Sequence, residues 1–281
     1  MVFILLIFGL IFGSFINAWV WRLHEQLNKD GNPKKISKKK QKELSIATGR
    51  SMCPQCGHEL AAKDLIPVLS WILLNGKCRY CRAPIGVQYP IVEAVTAVLF
   101  AVSYILWPVD FNESWVWLSF ITWLVLLVGL IALFIYDAKW MLLPDKIVFK
   151  LYLVLFISFV FQVALGRPIE SLLGIVTGIL IGGGIFWVLF QVSNGRWIGG
   201  GDVKLGFLLG AMLGSGILAF LMLFFSSVFG MIWLIPLIMS KKVNNNSRIP
   251  FGPFLIAATI VVALWGQYVI DWYTTTLLVA S

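Results

Sequence analysis

Two aspartates and four cysteines are the residues of this 281-residue chain whose type and setting point to chemistry. Asp202 ends the run Ile198-Gly199-Gly200-Gly201-Asp202-Val203-Lys204-Leu205, just where a long apolar segment begins. A carboxylate at membrane depth is costly, faces protein or water, and by default marks a functional site. The glycines beside it have no Cβ and let another backbone come close. A helix starting at Asp202 would aim its positive dipole end and unpaired N–H groups at the same region. Asp137, in Ile135-Tyr136-Asp137-Ala138-Lys139-Trp140, closes a second apolar run that starts near Trp115. If both runs cross a bilayer, the two carboxylates can meet at one membrane face. Two close carboxylates cannot both ionise cheaply, so one keeps a proton while the other orients water. That division suits amide hydrolysis without a covalent intermediate, with Asp202 as base at a helix start and Asp137 as acid at a helix end. A coupled pair need not permit a unique assignment, and Lys139 and Lys204 favour the ionised forms. The competing reading is two interface aspartates in polar loops, each beside one of those lysines.

All four cysteines lie in two CxxC pairs, Cys53-Pro54-Gln55-Cys56 and Cys78-Arg79-Tyr80-Cys81. Paired knuckles of this kind deliver four thiolates to one tetrahedral ion, as in structural zinc sites. Two disulfides or a redox pair are the alternatives, and a cytoplasmic setting, where thiols stay reduced, favours zinc. Four cysteine ligands leave no open position, so the metal is expected to be structural. His58 reads as solvated rather than as a ligand, and His24 carries no signal.

The elements that must position these residues follow from composition. The chain is 59% hydrophobic and 12% charged, with mean hydropathy +0.89, which excludes a soluble globular domain. A bilayer core needs about 20 apolar residues per helix, and several such runs are present, so the expected class is an all-α polytopic membrane protein. The net charge of +9 does not point to nucleic acid. Thirteen of the 22 Lys and Arg residues fall between Arg22 and Arg82, directly after the first apolar run, which is how a membrane protein is oriented with basic loops in the cytoplasm.

Residues 1–21 read as a first transmembrane helix with its N-terminus outside, lacking the basic flank and cleavage signature of a signal peptide. Residues 22–89 read as a cytoplasmic stretch: a basic linker carrying Lys34, Lys35, Lys38, Lys39, Lys40 and Lys42, then the cysteine loop. The linker is either a solvated tether or a contact for anionic lipid head groups. Residues 90–281 read as a seven-helix core, opened by Tyr89-Pro90-Ile91-Val92-Glu93, where Glu93 suits a helix N-terminus. Gly178, Gly182, Gly183 and Gly184 suggest close helix packing. The 36-residue apolar stretch Leu205 to Ser240 exceeds one helix and breaks at Gly214-Ser215-Gly216, leaving a short sixth span. Lys241, Lys242 and Arg248 mark another cytoplasmic loop. In this scheme of about eight helices only Arg167 of the 22 basic residues is external, and Asp137, Asp202 and the cysteines share the cytoplasmic side.

Taken in order, these motifs resemble the bacterial type IV prepilin peptidases, membrane aspartic proteases of the GxGD type. The resemblance runs nearly end to end: Gly13-Ser14-Phe15-Ile16-Asn17, the two CxxC pairs, Tyr89-Pro90 with Glu93, Asp137 with Leu143-Pro144-Asp145, Gly199 to Lys204, and Ile249-Pro250-Phe251-Gly252-Pro253-Phe254. It implies that Asp137 and Asp202 are catalytic, with Gly199, Gly201, Lys204 and Asp145 in support. It implies removal of the leader of type IV prepilins or pseudopilins, for pilus, type II secretion or competence systems, at the cytoplasmic face of the bacterial inner membrane. Members with the cysteine loop also methylate the new N-terminus with S-adenosylmethionine, and Gly76, Lys77 and Glu93 are the candidates for that role. No soluble methyltransferase fold or glycine-rich nucleotide fingerprint accompanies them, so a peptidase alone stays open. Buried aspartates would also serve a proton-coupled transporter, but the paired broken helices or repeats expected there are not found. A noncatalytic scaffold would not need both aspartates. Expected partners are prepilins and membrane lipid, without nucleic acid; the oligomeric state and the natural pilin are left open.

Overall fold

A computed structural model of the chain describes residues 1–27, 31–34, 37–46, 48–240 and 249–278. Lys35, Lys241, Lys242 and Arg248 lie outside the described residues. Among the described residues the secondary structure is helical, with only isolated β-bridges. Seven segments are long and apolar enough to cross a membrane, so the chain is a multi-pass α-helical membrane protein. It divides into two compact units, Met1–Ile105 and Leu106–Ser281.

The first unit contains α1 (Val2–Gln26), α2 (Lys38–Glu43), α3 (Leu69–Leu73) and α4 (Gln88–Ile105). The sequence grouping puts residues 90–105 with the seven-helix core, whereas α4 packs along α1 in this unit. The cause is steric. A Cβ on Gly13 would stand 2.6 Å from Glu93 Cα, and one on Gly9 would overlap the Ala97 backbone, so the two helices meet backbone to backbone. The linker folds back on the end of α1. The buried Arg22 donates to the carbonyls of Ser45 (2.9 Å) and Gly49 (3.1 Å), and Gln26 donates to Leu44 O (2.8 Å). Ser37 caps α2, whose residues are all exposed.

The second unit is built on α5 (Ser114–Trp140), two-thirds buried, as a lipid-facing helix cannot be. It ends with Met141 in the left-handed region at φ 53°. The chain turns there into α6 (Asp145–Ala164), with Asp145 in the first turn. A polar seam joins α5 and α6: Ser119 donates to Gln162 (2.8 Å), Gln162 to Ser158 (2.8 Å), and Thr122 bonds Ser158. With no hydrophobic drive between helices in lipid, such bonds and close packing hold the pair.

The fifth span is broken into α7 (Ser171–Gly182) and α8 (Gly184–Ser193) at Gly183, which lies against Phe207. Next comes α9 (Gly200–Leu213), the short span expected before the Gly214-Ser215-Gly216 break. Its 14 residues reach about 21 Å, less than a hydrocarbon core of about 30 Å. Gly174, Gly178 and Gly182 on α7 face Gly214, Gly210 and Gly206, a contact in which a Cβ on Gly182 would stand 2.9 Å from Gly206 O. Of the glycines expected to pack closely, Gly178 and Gly182 seat the helix that carries Asp202 and Gly183 lies against Phe207, whereas a Cβ on Gly184 would meet open space. Completing the unit are α10 (Gly216–Met239) and α11 (Gly252–Tyr273), the latter packed on α5, α9 and α10.

Candidate functional site

Asp137 lies one turn before the end of α5 and is 5% exposed. Asp202 lies in the first turn of α9, half-buried, and Asp137 is within electrostatic reach of it. The helix-end geometry expected of each is therefore present: an N-terminal dipole at Asp202 and a C-terminal one at Asp137. Asp137 Oδ2 is buried, and the Gly252 N–H at the start of α11 is directed at this carboxyl.

What brings the two helix ends together is the start of α11. A Cβ on Gly252 would come 2.5 Å from Asp137 Oδ2 and 3.5 Å from Leu205 Cδ2 on α9. Gly252 is thus the point where three helices close on one carboxylate. In the sequence it is visible only as a helix start and as part of a resemblance. Within the glycine run before Asp202, Gly201 is the crowded position, where a Cβ would meet Leu143 at 3.2 Å; Gly200 has room. Gly199 is the N-cap of α9, and a Cβ there would be in ordinary contact, 3.6 Å from Asp202 Oδ2. Leu143 belongs to the turn after Asp137, so Gly201 lets that turn rest on the start of the Asp202 helix.

Lys204 and Asp145 form an ion pair, with Nζ at 2.8 and 2.9 Å from the two carboxylate oxygens, while Tyr152 donates to Lys204 O at 2.6 Å. The lysine beside Asp202 in sequence is therefore engaged with α6. Lys139 lies over the Trp140 ring, 5.5 Å from its centroid. Beside Asp202 a cavity of about 920 Å³ is lined by Phe186, Arg196, Trp197, Gly199, Ile249 and Phe251, among others. It is large enough for an extended peptide segment, and Arg196 is its basic residue.

In the first unit the four cysteine sulfurs lie within 4.8 Å of one another, Cys53 and Cys81 at 3.8 Å. A tetrahedral site with Zn–S near 2.3 Å spaces its sulfurs by about 3.8 Å, so the donor set and its spacing fit one such ion. The two knuckles share one construction. Cys53 N–H donates to His58 O (3.0 Å) and Cys78 N–H to Ala83 O (2.8 Å), and the residue after each second cysteine is left-handed: Gly57 at φ 70° and Arg82 at φ 59°. His58 stacks on Tyr80 across the two knuckles, centroids 3.7 Å apart. Without a cation, an Ala83 backbone bond favours the Cys81 thiolate, but desolvation and the sulfurs of Cys56, Cys78 and Cys53 push its pKa up to about 11. A bound dication reverses that balance.

Asp64 braces the second knuckle through Arg79 Nε (2.6 Å) and Tyr80 Oη (3.0 Å). Burial raises its pKa, yet these bonds and the Ala61 N–H outweigh it and hold the carboxyl below its ordinary value. Of the methylation candidates, Glu93 accepts the Val68 N–H at 2.7 Å. Gly76 makes room for Trp71, whose Cζ2 a Cβ would meet at 2.9 Å. Lys77 is exposed and pairs through its backbone with Pro84.

Residues 7–107 match the family model of the bacterial peptidase A24 N-terminal domain, and residues 124–235 that of the type IV leader peptidase family. The prepilin leader peptidase/N-methyltransferase of Aeromonas salmonicida (strain A449) is 33% identical, over 97% of this chain and 93% of the relative. The protein of that name from Pseudomonas aeruginosa is 32% identical over 95% and 91%, and that from Bacillus subtilis (strain 168) 31% identical over 97% and 98%. No solved structure matches the chain.

Proposed function

Since the chain belongs to the type IV leader peptidase family, we propose that it removes the leader of prepilins and pseudopilins and then methylates the new N-terminal amine. The observation that carries the peptidase reading is the carboxylate pair at the junction of α5, α9 and α11, closed by Gly252. Asp202 takes a proton from water, whose oxygen attacks the scissile carbonyl carbon while Asp137 protonates the carbonyl oxygen. As the C–N bond breaks, the proton held by Asp202 passes to the leaving amine and Asp137 recovers its own. Gly199 caps the α9 start, Gly201 seats the Leu143 turn, and the Lys204–Asp145 pair ties α9 to α6. The proton-coupled transporter finds no support in these relationships.

The four cysteines would hold a structural zinc ion, which would cross-link the loop and take no part in the reaction. For methylation, S-adenosylmethionine would supply the methyl group to the new N-terminal amine, and Gly76, Lys77 and Glu93 are the residues of this chain assigned to that step. The distribution of basic residues supports a cytoplasmic position for the cysteine loop and both aspartates. Mass spectrometry of a purified prepilin incubated with the protein tests both activities, with and without S-adenosylmethionine. Leader loss that is absent with Asp137→Asn and with Asp202→Asn, and a methyl mass shift only with the donor, is expected. Cleavage surviving either substitution would remove the paired-carboxylate reading, and cleavage without methylation would leave a peptidase alone.

A further inference from the structure

The first unit holds a cavity of about 340 Å³ that cleavage does not use, a size ordinary for a small-molecule site. Its walls include Ser14 and Asn17 of α1, Tyr89 and Glu93 of α4, and Asp64 and Trp71 of the cysteine loop. Of the charged groups around it other than Glu93, Asp64 and Arg79 form an ion pair at 2.6 Å, while Arg22 is hydrogen-bonded to neutral groups, the carbonyls of Ser45 and Gly49.

Glu93 is 8% exposed, and its partners among the described residues are neutral, the Val68 N–H at 2.7 Å and the Ser14 hydroxyl. Asn17 is 5% exposed and donates its Nδ2 to Tyr89 O at 3.1 Å, which fixes the amide orientation. Its Oδ1 is thereby left buried with no partner among the described residues. A buried carboxylate without a counter-ion and a buried acceptor without a donor are both costly. Both defects have the same sign, so the group that completes this corner, on the α1 and α4 wall, brings donors and positive charge. Trp71 and Tyr89 are among the lining residues, and aromatic rings are side chains that attract cations.

The surrounding backbone is committed to this arrangement. Val68, a β-branched residue, sits at φ 61°, a strained conformation that aims its N–H at Glu93. Gly13 is required where α1 meets the Glu93 Cα, and Gly76 where the loop meets Trp71. Gly76 thus acts on the cavity by positioning one of its walls.

We propose that this cavity receives the positive charge of the methyl-transfer reactants, with Glu93 and Asn17 Oδ1 binding an onium group: the sulfonium of S-adenosylmethionine or the ammonium of an amine. The proposal rests on the methyltransferase reading above. Calorimetric titration of the full-length, zinc-loaded protein in detergent tests it, using S-adenosylmethionine and S-adenosylhomocysteine, which lacks the sulfonium charge. Wild type is compared with Glu93→Gln, which keeps an acceptor for Val68, and with Asn17→Ala. If the sulfonium is the guest, Glu93→Gln weakens S-adenosylmethionine at least tenfold and leaves the homocysteine compound within twofold. Equal weakening of both assigns Glu93 to the amino-acid ammonium that they share. If the guest is the pilin amine, both adenosyl compounds bind as in wild type and the KM for processed pilin rises at least tenfold. Donor affinities and pilin KM all within twofold of wild type in both variants would overturn the proposal. A wild-type protein that cleaves prepilin but neither binds donor nor transfers methyl overturns the methyltransferase reading, and the cavity assignment with it. Zinc content and melting temperature report folding, and Asn17→Ala carries the same comparison should Glu93→Gln not fold.

Discussion

The two chemically active regions of this chain are assembled in opposite ways. The cysteine cluster comes from one stretch, Cys53 to Cys81, whose knuckles are shaped by short-range backbone bonds and left-handed residues. The carboxylate pair draws Asp137, Asp202 and Gly252 from three helices far apart in sequence, held by contacts that depend on absent side chains. A local site tolerates changes elsewhere and fails when a ligand is lost. A site made by helix packing fails when a methyl group is added at its junction.

The largest expected effect is on the carboxylates. Asp137→Asn or Asp202→Asn should lower cleavage by roughly 10²- to 10⁴-fold, the range for removing a general acid or base, measured as kcat/KM on one prepilin. Next is the metal. Cys56→Ser, or a strong chelator, should abolish stoichiometric zinc by elemental analysis and make residues 48–86 susceptible to protease, since binding and folding of such sites are linked. Protease resistance without zinc would dissociate the loop's fold from the metal.

Gly252→Ala should then reduce cleavage on the order of 10²-fold, the cost of misplacing a catalytic group by about 1 Å, because its Cβ would stand 2.5 Å from Asp137 Oδ2. Gly184→Ala, with open space around its Cβ, should stay within twofold of wild type in the same assay. Equal behaviour of the two alanine variants would refute the steric closure of the site. The smallest effect is expected at Arg82, left-handed at φ 59° where the other knuckle has Gly57. Arg82→Gly should relieve left-handed strain of about 1–2 kcal/mol against a glycine entropy term of about 0.5–1 kcal/mol, read as a slightly higher melting temperature of the zinc-loaded protein.

The same contrast separates what is legible in the amino-acid sequence from what is not. The cysteine cluster is legible from spacing because spacing nearly determines it. Asp137 and Asp202 are legible because a carboxylate closing or opening an apolar run is costly unless it has a role there, and the Gly214-Ser215-Gly216 break is legible from length. Gly252 is not, since nothing local distinguishes a glycine that opens a helix from one that another helix needs bare. The pairing of α4 with α1 through Gly9 and Gly13 is hidden for the same reason. So is the cavity, where Asn17 and Glu93 meet across a separation that no periodicity encodes. Lys204 stands beside Asp202 in sequence, yet one face of the helix turns it to Asp145.

The pairing of the two aspartates is tested most directly by a double-mutant cycle on prepilin cleavage: wild type, Asp137→Asn, Asp202→Asn and the double variant, each assayed for kcat/KM under one set of conditions. If the carboxylates act as one unit, each single variant falls about as far as the double, since losing either partner leaves nothing for the other to complete. Losses that multiply, or one variant that keeps near wild-type cleavage, would contradict a shared catalytic site.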